Sequence, residues 1–373
     1  MLLSTVAAMM ILMVGVSVLS CGGSAKAKAV KVAINVPITG PFGEYGQAIR
    51  DGALMALKDL KDKGSKANLA LDIQDNAGEP KTAVTLFEKQ MLSKPDIYVT
   101  GIKPQTMAVL DKVLATGLPY FAYVFDAFIT KGHPSMFCTW PTYRFEADKY
   151  LQYVKYYSAK RVAIACVNFP HALQEFNEIV IPQLKAMGVE ADMEVYEWDT
   201  KDYRDIVVKL RDFKPDLYIL NGFQDNLVGF VKAMRTYNLV GDGNVIGTID
   251  LLDAANILTP EELEGLHVVA PEFNISNAPA LAAWKDRFKK TYNRASIYSD
   301  ADAYDMVIAI ADAATRLKLP ATTKQWIDAL AATKTEGVNG TVQFDDLHDL
   351  DAHLKIGIYH QGKLELDQIE KQP

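Results

Sequence analysis

From residue 30 onward the chain alternates short, nearly all-apolar runs with stretches in which apolar residues recur every three or four positions. VKVAINV (30–36), LALDI (69–73), IYVTG (97–101) and PYFAYV (119–124) have the length and β-branching of buried strands. Between them, Ile49, Ala53, Leu57 and Leu60 fall on one face of a helix that ends at Gly64, and helices are predicted over 80–94 and 105–116. A second series follows Trp140. It reads helix 145–158, strand 161–167, a helix within 171–187, strand 193–198, helix 203–213, strand 217–222, helix 224–238 and strands 244–249 and 266–271. Alternation of this kind predicts βαβ units and parallel sheets. The last third is helical over 278–292, 300–319 and 323–332, and then TVQF (341–344) and KIGIYHQGKLEL (355–366) read as a strand pair or meander.

The two series resemble each other. KPDIYVTG (94–101) and KPDLYILNG (214–222) each follow a helix and enter a strand ending in glycine, which points to a duplicated half. A chain of 373 residues also exceeds the roughly 250–300 at which single cores stop growing, so two lobes are expected. With 49% hydrophobic and 23% charged residues the composition is that of a folded protein, and a net charge of -7 gives no basic surface for a polyanion. Nucleic acid is therefore not an expected partner.

Residues 1–20 carry no charge and are apolar nearly throughout, as in a secretory leader or a membrane anchor. Val18-Leu19-Ser20-Cys21-Gly22-Gly23 resembles a bacterial lipobox, although Leu19 is bulky for its place and no Lys or Arg precedes the apolar run. Lipidation of Cys21, simple cleavage and an uncleaved anchor all remain open, and all three export the chain. Residues 21–30 would then be a lipid-anchored tether. Cys138 and Cys166 both fall in predicted strands and read as buried free thiols. CxxC, HExxH, GxSxG and GxxxxGK[ST] are absent from the sequence, so no catalytic role or cofactor is expected.

PITGPFGEYG (37–46) occupies the turn where nucleotide folds place phosphate loops. Its glycines are spaced GxxGxxG rather than GxGxxG, and Pro41 removes a backbone N–H, so a phosphate cradle is disfavoured. The turn instead offers Phe42 and Tyr45 as an apolar wall. Together with "LDIQDNAGEPKTAV" (71–84), the paired Gly-ended strands and the lipobox, this segment makes the chain resemble the solute-binding proteins of ABC importers, leucine/isoleucine/valine-binding type. The likeness runs from about residue 31 to 366.

That resemblance implies an α/β protein of two doubly wound, Rossmann-like lobes with parallel sheets, joined by a three-crossover hinge around a ligand cleft. Lobe 1 would be 31–139 plus 274–341 and lobe 2 would be 142–270 plus 345–366, with crossovers at 136–141, 268–273 and 340–346. In the family, segments after the third and fourth strands grip an α-carboxylate. The matching stretches here hold Lys103, Gln105, Thr106 and Phe125, with the usual hydroxyl cluster largely missing. The tyrosines and acid that hold the α-ammonium fall near Phe169, His171, Phe223 and Asp250.

Arg144 follows the first crossover directly and is expected either to take a solute carboxylate in bidentate fashion or to bridge Glu146 or Asp148 on the surface. With Trp140 and Tyr143 nearby, the expected site is an aromatic cleft with one cationic end. It would take a hydrophobic or aromatic carboxylate, or a hydrophobic or branched-chain amino acid. Asp346, His348, Asp349, Asp351 and His353 read as a solvated turn rather than a metal site. The expected setting is the periplasm or the outer face of the cell membrane, as a monomer working with an ABC permease and its ATPase. A lipoprotein that feeds a membrane receptor is the alternative.

Overall fold

Val30–Val36 (β1) forms because an almost unbroken apolar run is buried on both faces, the pattern of an interior parallel strand. The structure is a computed structural model that describes residues 29–371, apart from 127, 242, 351 and 352. The expected leader, Cys21 and most of the tether lie outside the described residues, as does Asp351.

β1 sits in a parallel sheet with Leu69–Asp75 (β2), Ile97–Gly101 (β3), Tyr120–Tyr123 (β4) and Met136–Cys138 (β5), in the order β2-β1-β3-β4-β5. Register places Ile34 beside Ile73 on one side and Val99 on the other. The second sheet contains Arg161–Val167 (β6), Glu190–Tyr196 (β7), Leu217–Leu220 (β8), Val245–Gly247 (β9) and His267–Pro271 (β10), again parallel. Lys334–Glu336 (β11) and Thr341–Gln343 (β12) pair with each other as a separate hairpin. Leu354–His360 (β13) and Lys363–Leu366 (β14) then add antiparallel at the β10 edge. Each sheet, with the helices packed on it, has its own apolar core, and the two define two lobes.

The repeated KPD turns have matching atomic geometry. Lys94 and Lys214 both adopt left-handed backbone, with φ of 51° and 53°. Asp96 then accepts the Lys31 N–H at 2.8 Å, and Asp216 accepts the Arg161 N–H at 2.9 Å, so each aspartate ties its turn to the start of the neighbouring strand. The two halves are built by the same local device.

The Tyr298–Arg316 helix returns to the first lobe and packs on the Gly43–Asp62 helix. Gly52 permits that crossing, since a Cβ there would lie 2.0 Å from the Asp300 carbonyl oxygen. Arg294 bridges Asp51 and Asp300 at 2.9 and 2.6 Å, and Arg287 forks onto Asp59 at 3.0 and 2.8 Å. Lobe 1 thus combines the N-terminal sheet with a helical segment that follows β10 in sequence.

Where the chain leaves β5, the Cys138 N–H donates to His348 O and its carbonyl accepts from the Leu350 N–H. Two passages between the lobes therefore run side by side. Cys138 and Cys166 are buried and unbonded. Among the described residues no helix is long and apolar enough to cross a membrane.

Candidate functional site

The 37–46 turn is held by Asp75 at the end of β2. Its carboxylate accepts the backbone N–H groups of Ile38 (2.8 Å) and Thr39 (3.2 Å) and the Thr39 hydroxyl (2.7 Å). Gly46 lets the following helix start against its own loop, because a Cβ would come 1.9 Å from Pro37 O. Donors that would cradle a phosphate are thereby engaged by the protein, and Phe42 and Tyr45 are presented to the interlobe space.

That space is a cavity of about 690 Å³ between the C-terminal ends of the two sheets, where open α/β sheets place ligands. From lobe 1 come Phe42, Tyr45, Lys103 and Phe125, with Trp140 at the crossover; from lobe 2 come Tyr143, Phe169, His171, Phe223 and Asp250. Their rings form a continuous wall. Trp140 stacks on Phe125 with centroids 4.6 Å apart and meets Tyr45 edge-on at 5.3 Å. Phe125 reaches Tyr143 at 5.9 Å, and Tyr143 stacks on His171 at 4.7 Å. Phe169 and Phe223 close the far end, T-shaped at 5.4 Å. Burial pushes the His171 imidazole down to about 4, helped by nearby Lys103 and opposed by Asp126, so at neutral pH this ring is an uncharged aromatic surface.

Three of the expected residues are elsewhere. Gln105 is buried and donates to Gly78 O, and the Thr106 hydroxyl lies 2.8 Å from that of Thr100, so both hold the first lobe together. Arg144 does not line the cavity. Its guanidinium bonds Asp345 and Asp349 (3.0 Å to the latter) from the third passage between lobes and lies 4.5 Å from the centroid of Phe145. Neither expected role for Arg144 is met, because the acids that satisfy it come from some two hundred residues downstream. The cation at the cavity is Lys103, whose Nζ is paired with Asp126 at 2.7 Å.

The acidic turn beyond residue 345 is likewise occupied with structure. His348 stacks on Phe137, Asp349 also accepts the Thr130 hydroxyl at 3.0 Å, and His353 Nε2 is 2.8 Å from Thr341 O. Among the described residues no cluster suited to a metal ion is found.

Sequence reading missed Glu146, Glu175 and Asn221. Glu146 lies in the first turn of the Tyr143–Tyr156 helix, three residues after Tyr143, and shares its buried stripe with Ala147, Tyr150 and Tyr153. A carboxylate at that phase of an apolar stripe was the available signal. Glu146 and Asn221 line the cavity, and Glu175 is buried behind it.

A sequence profile of the family described as periplasmic binding protein matches residues 29–355. The leucine-, isoleucine-, valine-, threonine- and alanine-binding protein of Pseudomonas aeruginosa is 22% identical over 343 residues, 88% of each chain. Among solved structures, the substrate binding protein of a branched-chain amino acid transporter from Streptococcus pneumoniae, in complex with isoleucine, has a TM-score of 0.70 at 20% identity. It covers 91% of this chain and 99% of that one. An ABC transporter solute binding protein from R. palustris, in complex with benzoate, has a TM-score of 0.69 at 16% identity, covering 91% and 95%. Each is named for what it binds or carries, and none for a reaction.

Proposed function

The chain belongs to the periplasmic binding protein family, and we propose that it captures a small organic solute with an apolar, ring-sized or branched body between its lobes and delivers it to an ABC importer. The observation that carries this reading is the aromatic cavity of about 690 Å³ walled by both lobes, within the roughly 300–1,000 Å³ of small-molecule sites. Ligand contacts on two hinged lobes are complete only when the lobes close, so a solute touching both shifts the population toward the closed form. The closed form would dock on the permease, whose ATPase drives import, outside the cytoplasm and tethered through Cys21.

Isoleucine and benzoate, held by the two structural relatives, set the scale of the apolar body. The sequence suggested a carboxylate or a hydrophobic amino acid. Engagement of Arg144 at the hinge removes the reason for preferring a plain carboxylate, and the hydrophobic amino acid is the better supported of the two. Native mass spectrometry of protein purified without denaturation, followed by small-angle scattering with a panel of amino acids, organic acids and amines, tests the reading. One retained organic species, or contraction of the particle with a panel member, is expected. Identical scattering profiles and melting temperatures across the whole panel would refute it.

A further inference from the structure

The lobe 2 floor of the cavity carries carboxylates that no basic group among the described residues balances. Glu146 lines the cavity yet is only 4% exposed, and its carboxylate accepts the Ile249 N–H at 2.7 Å with the Tyr150 hydroxyl beside it. Behind it, Glu175 is 1% exposed and neither of its oxygens has a hydrogen-bond partner. Asp250 lines the same wall. Among the described residues no basic group lies close enough to any of the three to offset its charge. The groups that face them are Tyr143 and Tyr150 from the same helix as Glu146, Cys166 from β6, Tyr196 from β7, Tyr45 and Tyr298 from the two lobe 1 helices, and the acid Asp253. All are neutral or acidic.

A separate element repeats the pattern. Asn221, just after β8, is 6% exposed, lines the cavity and has a side-chain oxygen with no partner. Buried acceptors left without donors are costly, and at the wall of a cavity a ligand can supply the missing donor. Glu175 also opens a π-helical turn, Glu175–Val180, and Pro182, two residues beyond it, lacks the N–H that would close an α turn onto Glu178. Such turns recur at functional sites. The cations near the cleft are meanwhile committed, Lys103 to Asp126 and Arg144 to Asp345 and Asp349.

We propose that this floor is a cation subsite that takes a protonated amine or amidinium carried on the solute's apolar body, with Glu146 as the direct acceptor and Glu175 as the charge behind it. The proposal rests on the solute-binding reading and names the class of solute: an apolar amine, for which a carboxylate adds nothing. Burial, with Asp250 nearby, pushes Glu146 up to about 8, and burial with Asp253 pushes Asp250 up to about 7. Burial, then Glu146 and Asp250, holds Glu175 well above the carboxylate range. A bound cation favours the ionised forms, so binding releases protons and affinity rises with pH. A bound anion would do the reverse.

Isothermal titration with two matched series tests this: 2-phenylethylamine, phenylalanine and 3-phenylpropanoate, and 3-methylbutylamine, leucine and 4-methylpentanoate. Each series keeps one apolar body and changes only the charged end. In at least one series the amine is expected to bind at least tenfold more tightly than the amino acid, with the acid weakest. Amine affinity should rise between pH 6 and 8. Glu146→Gln should weaken the amine at least tenfold while sparing the acid, and Glu175→Gln, nearly isosteric and checked by thermal melting, should flatten the pH dependence. Tighter binding of the amino acid or the acid overturns the subsite and leaves the solute-binding reading intact, as does amine affinity unchanged in both variants. Failure of all six compounds overturns the subsite, and if the wider panel fails as well, the solute-binding reading falls with it.

Discussion

The two faces of the cleft are built from the same duplicated half, yet they treat charge in opposite ways. On lobe 1, Lys103 is paired with Asp126, and Thr100 is shared between the hydroxyls of Thr106 and Tyr120 at 2.8 and 2.6 Å. On lobe 2, Glu175 and Asn221 keep buried oxygens without a protein partner, and Glu146 and Asp250 lie beside them with no basic group among the described residues to offset their charge. Satisfied polar groups hold a fold in place. Unsatisfied ones lower its stability, and sites where local consistency fails are where function is concentrated. The difference teaches that lobe 1 is a prepared apolar wall, while lobe 2 asks the ligand for hydrogen-bond donors.

Arg144 gives the largest test of that contrast, since it separates a charge used by the fold from one used by a ligand. Arg144→Ala leaves Asp349, whose side chain is 1% exposed, with the Thr130 hydroxyl as its remaining side-chain donor. Removing one partner of a buried pair costs about 3–5 kcal/mol, and the 23% exposure of Arg144 reduces this to about 1–3 kcal/mol. Denaturant melts should show that loss, with solute affinity changed less than about threefold. A large loss of affinity at unchanged stability would return Arg144 to the site and dissolve the contrast.

The empty protein should also report the unanswered carboxylates through pH. Glu146 and Asp250 bind protons more tightly when folded than when unfolded, so the native state holds more protons than the unfolded one between about pH 4.5 and 8. Stability then falls as pH rises through that window. Glu175→Gln removes a buried acid that burial holds well above the carboxylate range, and it should raise stability at pH 8. Melting temperatures from pH 5.5 to 8.5 would check this. A wild-type profile that rises over the range, or a variant less stable at pH 8, would mean that the fold balances these acids after all.

Much of the architecture was legible because the forces that set it are local and periodic. Buried parallel strands need continuous apolar runs, and amphipathic helices repeat every three or four residues, so β1, β6 and the Tyr298–Arg316 helix could be read off directly. Thr341–Gln343 was foreseen as a strand but its partner was not, because Lys334–Glu336 is polar and too short to show a pattern. At the site, the aromatic wall was legible through the family resemblance, which set the 37–46 turn and the segments after the strands around one cleft. Gln105 and Arg144 were misplaced for a common reason: their partners, Gly78 and Asp349, come from distant segments that only the fold brings close. Glu146 and Glu175 were passed over because charge is ordinarily solvated, and only their burial shows that here it is not.

The smallest effect asks the sharpest question, since it turns on sign. Lys103 lies at the cavity with a side chain 45% exposed, and its pairing with Asp126 leaves the lobe 1 wall near neutral. Lys103→Met removes a positive charge and frees Asp126 while keeping most of the apolar stem. Exposed pairs are worth roughly 0–1 kcal/mol, so stability should change by less than about 0.5 kcal/mol. For a cationic solute, loss of a like charge from the opposite wall should strengthen binding by about two- to fivefold, and more at low ionic strength, where screening is weaker. For a carboxylate the same substitution should weaken binding by a similar factor. Titrating Lys103→Met with each member of a matched series therefore reads the charge that lobe 1 faces. If the best-bound member of the series loses affinity, Lys103 is the anchor, and lobe 1 rather than lobe 2 supplies the polar recognition.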